Sequence, residues 1–115
     1  MTQSIRYYDL TNAGIGIIIH FKLVDESGNT VWDGSGAPAL DIGQKFTYDL
    51  YNCNEDGKLN GKVFYLSSST VAGHTYTEKV AAFTYDENSK TVASAERRGT
   101  SLSGELDFTG TWEHS

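Results

Sequence analysis

The segment from residue 101 to residue 113 alternates small or apolar residues with polar ones, and this pattern constrains the fold more than any other feature. Successive side chains of a β-strand point to opposite faces, so the alternation predicts a strand with one buried and one solvated face. The face expected to be buried contains Leu102, Gly104, Leu106, Phe108, Gly110 and Trp112. We expect its large side chains to pack with Ile17, Ile19 and Phe21, and its two glycines to mark a bulge, a bend or close packing.

Residues 15–24 form a second clear strand pattern, with an apolar side chain at the odd positions from 15 to 23. The polar run at residues 25–29 is typical of a turn, and residues 30–33 favour a short return strand. Together the three segments predict a hairpin.

Alternation elsewhere in the chain predicts further short strands. The remaining segments are an opening strand at 5–9, a hairpin of 46–50 with 62–66, and a hairpin of 80–85 with 91–95. About eight short strands at close spacing are typical of sandwiches and small barrels. We therefore predict an all-β fold, a single-domain antiparallel β-sandwich over residues 1–115, with a small closed β-barrel as the alternative.

Charge and composition exclude several classes of partner. The chain of 115 residues has a formal net charge of −6, which argues against binding to nucleic acid or to an anionic membrane surface. A lone cysteine, Cys53, cannot form an intramolecular disulfide, and the N-terminal MTQSIRYYD is too polar and acidic for a signal peptide. The longest apolar run, residues 15–19, is too short to span a bilayer. We expect a cytoplasmic protein, or one secreted without a cleaved signal peptide.

The stretch YNCNEDGKLNGK, residues 51–62, resembles half of a calcium-binding loop. Asn52, Asn54, Asp56 and Gly57 occupy positions where such loops place oxygen ligands and the glycine of a sharp turn. The twelfth position, however, is Val63 and not the glutamate that completes coordination. A polar hairpin loop accounts for the same residues, so we expect no metal and no cofactor here.

Patterns typical of catalytic centres do not occur in the sequence. The histidines show no HExxH spacing, and no GxSxG segment is present. Cys53 lies beside Glu55 and Asp56, whose negative charges would raise the pKa of its thiol and make it less reactive. We therefore expect a protein that is not an enzyme.

Aromatic side chains next to short polar ones mark three loops as candidate ligand-binding sites. The candidates are Asn29, Trp32 and Asp33 in the first loop, Tyr51, Asn52, Asn54 and Asp56 in the second, and His74 and Tyr76 in the third. An aromatic ring can cover the C–H face of a sugar while carboxylate and amide groups bind its hydroxyls. The alternative is that these rings belong to the core or its rim.

Three hypotheses for function follow from this sequence. The leading one is a non-enzymatic, lectin-like module that binds a glycan or another hydroxyl-rich ligand. The second is a membrane-active or lipid-headgroup-binding sandwich. The third is a structural or interaction protein whose exposed sheet edges pair with a partner or with a second copy to form a homo-oligomer.

Overall fold

A computed structural model describes residues 2–71 and 74–115, which form ten strands and one short 3₁₀ helix. The strands are β1 (Thr2–Ile5), β2 (Tyr7–Gly14), β3 (Ile19–Val24), β4 (Thr30–Trp32), β5 (Lys45–Asp49), β6 (Tyr65–Thr70), β7 (Thr75–Thr77), β8 (Ala82–Tyr85), β9 (Thr91–Gly99) and β10 (Gly104–Glu113). The 3₁₀ helix, Leu50–Cys53, follows β5 directly. Within the described part of the chain, no helix has the length and apolar character needed to cross a membrane.

Two four-stranded sheets pack face to face. The front sheet has the order β10-β9-β2-β5, the back sheet has the order β4-β3-β6-β7, and β1 pairs with β8 beside them. Contact between the sheets is direct, because the Tyr8 ring on β2 meets the Phe21 ring on β3 at 4.9 Å between centroids. The predicted all-β sandwich is therefore confirmed, and the described strands end in open sheet edges and not in a closed barrel.

The strand pairing is mixed, whereas the sequence predicted antiparallel pairing throughout. β2 lies parallel to β9 with Tyr8 opposite Ala93, and β1 lies parallel to β8. The remaining ladders are antiparallel. The parallel β2–β9 pair places two long strands at the centre of the front sheet.

One of the three predicted hairpins is confirmed. β3 and β4 pair antiparallel across a turn that is closed by Asp25, whose carboxylate accepts hydrogen bonds from the backbone N–H groups of Ser27 and Asn29, both at 2.9 Å. This strand begins at Ile19, later than predicted, and Ile15 lies exposed in the preceding loop.

The other two predicted hairpins are wrong, because their strands belong to different sheets. β5 pairs with β2 in the front sheet, while β6 pairs with β3 in the back sheet. Likewise β8 pairs with β1, while β9 pairs with β2 and β10. The turns between these strands therefore cross from one sheet to another.

The core forms between the two sheets and contains most, but not all, of the side chains expected there. Ile17, Ile19, Phe21 and Leu106 are buried, and Phe108 packs against the buried cluster. Two predictions are wrong: Leu102 is 79% exposed and Trp112 is 43% exposed. Leu102 precedes β10 in a turn, so strand alternation does not apply to it.

Trp112 is exposed because β10 contains a β-bulge. Phe108 pairs with Ala95 and Gly110 pairs with Ser94, so Thr109 is an extra residue in the ladder. One inserted residue moves every later side chain to the opposite face, since the side-chain period of a strand is two. Gly110 adopts a φ of +124°, which an L side chain rarely adopts. This glycine marks the bulge that turns Trp112 outward.

Candidate ligand-binding site

Trp32, the leading candidate from the sequence, is a core residue. Its ring is 1% exposed and stacks on Tyr48 of the front sheet, with ring centroids 5.1 Å apart. The indole Nε1 donates a hydrogen bond to the carbonyl oxygen of Ser35 at 3.2 Å. Both ring and N–H are therefore satisfied inside the protein, which leaves no face for a ligand.

The polar neighbours of Trp32 stabilise turns. Asp33 is exposed, and its carboxylate accepts a hydrogen bond from the Ser35 backbone N–H at 2.9 Å, which lowers the pKa of Asp33. Asn29 is exposed at the end of the β3–β4 turn. The contact with Ser35 explains why residue 33 is polar without requiring a ligand.

The loop that resembles a calcium site is an ordered connection between the sheets. Its 3₁₀ helix is capped by Asp49, and the side chain of Asn54 donates to Asn60 at 3.0 Å and accepts from the Leu59 backbone N–H at 2.8 Å. Asn52 and Asp56 are exposed. Within residues 2–71 and 74–115, no three His, Cys, Asp or Glu side chains gather in a group that could hold a metal ion.

Cys53 at the end of this helix is buried, and its thiol donates to the carbonyl oxygen of Leu50 at 3.3 Å. Burial raises the pKa of the Cys53 thiol to about 12. The direction agrees with the sequence prediction, but the main cause is removal from water and not the neighbouring acids. Such a thiol stays protonated and unreactive near neutral pH.

The first and third candidate loops do not converge on one site. Trp32 lies on β4 and Tyr76 on β7, the two edges of the back sheet, with β3 and β6 between them. At the usual spacing between strands, these edges are about 14 Å apart. Tyr76 is half-buried with the Arg97 guanidinium 4.4 Å from its ring centroid, whereas Tyr51 and His74 are exposed.

A different set of polar side chains converges on the outer face of the front sheet. They line a cleft of about 220 Å³, which we call the polar cleft, and they include Asp9, Thr11, Lys45, Ser94, Glu96 and Trp112. Strand register brings them together, since Asp9 on β2 lies between Thr47 on β5 and Ser94 on β9. Alternate residues of β2, such as Tyr8 and Leu10, are buried in the core, which forces Asp9 to the outer face.

Asp9 is the centre of a hydrogen-bond network in the polar cleft. Its carboxylate is 2% exposed and accepts from the Thr47 hydroxyl at 2.9 Å and from the Ser94 hydroxyl at 3.1 Å. The Lys45 ammonium group lies 3.4 Å from the same carboxylate. These partners offset the cost of removing a charged group from water.

Trp112 is attached to this network by its own N–H group. The indole Nε1 donates to the Ser94 hydroxyl at 2.8 Å, and Ser94 in turn donates to Asp9. The Trp112 ring also stacks on the His114 ring, with centroids 6.4 Å apart, and His114 stacks on Tyr7, with centroids 4.2 Å apart. The ring is therefore held in one orientation although 43% of the residue is exposed.

The chemistry of the polar cleft suits a ligand with both apolar and hydroxyl-bearing faces. Trp112 offers an aromatic surface, Lys45 offers a donor, and Glu96 offers carboxylate oxygens, one of which pairs with Arg98. No protein-family model matches this chain, and no curated protein matches it. A function therefore has to be inferred from the cleft itself.

Sequence reasoning missed these residues for identifiable reasons. The sequence pattern predicts a strand that ends at Asp9, whereas β2 continues to Gly14 and makes Asp9 a mid-strand residue. Strict alternation predicts Trp112 on the buried face, because it takes no account of the extra residue Thr109. Gly110, expected to mark a bulge or a bend, is the sequence feature that could have indicated a break in the alternation.

Proposed function

We propose that this protein is a non-enzymatic, lectin-like carbohydrate-binding module, and that the sugar binds in the polar cleft. The observation that carries this proposal is the exposed Trp112 ring, fixed through Ser94 to the buried carboxylate of Asp9. A ring that is held in place before the ligand arrives loses little conformational freedom on binding.

Four side chains of the polar cleft have distinct roles in binding. The Trp112 ring covers the C–H face of a sugar ring, and the Glu96 carboxylate accepts hydrogen bonds from sugar hydroxyls. Lys45 donates to a sugar oxygen from the far side of Asp9. Asp9 orients Ser94 and Lys45, since its own oxygens are already engaged by them and by Thr47.

The size of the polar cleft sets the expected ligand. Its volume of about 220 Å³ is below the roughly 300 to 1,000 Å³ of pockets that enclose drug-sized ligands. We expect it to take one sugar residue, for instance the terminal residue of a glycan, with the rest of the chain in solvent. Affinity for a free monosaccharide should be weak.

A glycan array identifies a ligand, and calorimetry on two variants then locates the site. Trp112→Ala should weaken binding about tenfold or more, because the aromatic platform is lost. Tyr51→Ala is the matched control. Tyr51 is also exposed, at 53%, but it lies in the 3₁₀ helix after β5 and not in the polar cleft. The glycan affinity of Tyr51→Ala should stay within about twofold of that of the native chain.

Two results would contradict the proposal. The first is an array on which no glycan binds above background. The second is equal binding by Trp112→Ala and the native chain, which would place any sugar elsewhere.

A further inference from the structure

One end of the sandwich presents large apolar side chains to solvent. Ile15 is 72% exposed, Ile18 44%, Val71 77% and Leu102 79%. They belong to three loops that meet at one end, because Ile17, Ile18, Val71 and Ser101 line a common hollow. We call the four exposed side chains the apolar tip.

The sequence of these loops is unusual for this chain. Residues 13–18, 70–74 and 99–103 contain no Asp, Glu, Lys or Arg, although such residues make up 21% of the whole chain. Water solvates charged loops readily, whereas an apolar medium penalises every charge it takes up. The three loops therefore lack the groups that would oppose entry into an apolar medium.

Two backbone N–H groups in the loops of the apolar tip donate hydrogen bonds within the protein. The N–H of Ile15 donates to the Gly99 carbonyl oxygen at 2.8 Å, and the N–H of Thr100 donates to the Ser103 carbonyl oxygen at 2.8 Å. At the base of the loop, the buried Asn12 side chain donates to the Ile17 and Leu40 carbonyl oxygens at 2.9 and 3.0 Å. Each group that is paired internally costs less to move from water into a lipid environment than an unpaired one.

From these observations we infer that the apolar tip inserts into the interface of a lipid bilayer whose surface is uncharged. Four side chains are far fewer than the roughly 20 to 30 residues per partner of a stable protein interface. A bilayer, by contrast, requires no complementary surface. The net charge of −6 disfavours approach to anionic lipid, so the expected surface is zwitterionic, such as phosphatidylcholine.

Co-sedimentation with pure phosphatidylcholine vesicles tests this inference. The native chain should bind, and Val71→Glu and Leu102→Glu should each weaken binding about tenfold or more, because each places a charge in the apolar tip. Val80→Glu is the matched control: Val80 is 81% exposed, but it lies in the β7–β8 connection beside Glu78, which bonds to Leu66 near the start of β6. The vesicle affinity of Val80→Glu should stay within about twofold of that of the native chain.

The polar cleft and the apolar tip are separable in the same experiment. Trp112 lies eight residues beyond Gly104, which begins β10 at the apolar tip, and this corresponds to about 27 Å along a strand. Trp112→Ala should therefore bind vesicles like the native chain, whether or not the polar cleft binds sugar.

Four outcomes would overturn the inference. Two of them are a native chain that stays in the supernatant with phosphatidylcholine and a native chain that binds only when phosphatidylserine is added. Val80→Glu losing as much binding as Val71→Glu would show that the site is not the apolar tip. Light scattering that finds a dimer dissociated by Val71→Glu, without vesicle binding, would assign the tip to contact between two copies.

Discussion

The two tryptophans of this chain occupy contrasting environments in the same sandwich. Trp32 is 1% exposed and its N–H is paired with a backbone carbonyl three residues away. Trp112 is 43% exposed and its N–H is paired with a side-chain hydroxyl that leads on to a buried carboxylate. The contrast shows two uses of one residue type: the first ring stabilises the fold, and the second is presented on a fixed polar network where a ligand can reach it.

Truncating the two rings should separate these roles most strongly. Trp32→Ala should lower the free energy of unfolding by about 3 to 5 kcal/mol, because it leaves a cavity between the sheets. Trp112→Ala should cost about 1 kcal/mol, mainly the hydrogen bond to Ser94. Urea denaturation of both variants measures the difference, and equal losses would show that the two environments are not distinct.

A comparison of two aspartates tests the network beneath Trp112. Asp9→Asn should lower the free energy of unfolding by about 1 to 3 kcal/mol. An amide has one acceptor oxygen, so it cannot accept from both the Thr47 and the Ser94 hydroxyls, and it loses the charge that pairs with Lys45. The exposed Asp33, next to Trp32, should give a change within about 0.5 kcal/mol on substitution by Asn. A silent Asp9→Asn in thermal and urea unfolding would mean that the network does not hold the polar cleft together.

The β-bulge that turns Trp112 outward can be tested at Gly110. An alanine there meets open space but must adopt a φ of +124°, so Gly110→Ala should cost about 1 kcal/mol through backbone strain. It should also shift Trp112 emission as the ring moves. The control is Thr111→Ala, an exposed position on the same strand, with an expected change within about 0.5 kcal/mol. A Gly110→Ala variant as stable as the native chain would argue against the bulge.

A smaller effect, with a defined pH dependence, is expected from Asp49 at the margin of the same outer face. Burial alone would raise the pKa of Asp49, but hydrogen bonds from Arg6, at 2.9 Å to each carboxylate oxygen, outweigh it and hold the pKa below the usual 3.8. Since the pKa is lowered by folding, the carboxylate stabilises the protein above pH 3.8, and this contribution is lost as pH falls through the folded-state pKa.

Asp49→Asn should therefore be less stable than the native chain at pH 7, by at most about 1 kcal/mol because the pair is partly exposed. The difference should shrink in unfolding curves recorded at successively lower pH below 3.8. A difference that is unchanged or larger in acid would contradict the direction of the shift.

Local patterns predicted the strands of this fold better than their partners. The β3–β4 hairpin was predictable because Asp25 and Asn29 close its turn within a few residues. The parallel pairing of β2 with β9 joins segments about 85 residues apart, and nothing in either strand identifies the other. For that reason, adjacent strands such as β5 and β6 were paired with each other when each belongs to a different sheet.

The candidate site was less predictable than the fold, and the two tryptophans show why. A tryptophan next to Asp33 and a glycine-rich turn has the same local sequence whether its ring points into the core or into solvent. Trp112 stands in a clean alternating pattern, and one extra residue, Thr109, reverses its face. Exposure of a ring is decided by tertiary packing and register, which the local pattern does not contain.

The most direct test of the contrast is a fluorescence titration that assigns the ligand response to one tryptophan. In the single-tryptophan variant Trp32→Phe, only Trp112 emits, and a glycan selected from an array should change its intensity and protect it from acrylamide quenching. In Trp112→Phe, only the buried Trp32 emits, and the same glycan should leave its emission unchanged. A ligand response from Trp32, or from neither residue while binding is measurable by calorimetry, would contradict the assignment of the sugar site to the polar cleft.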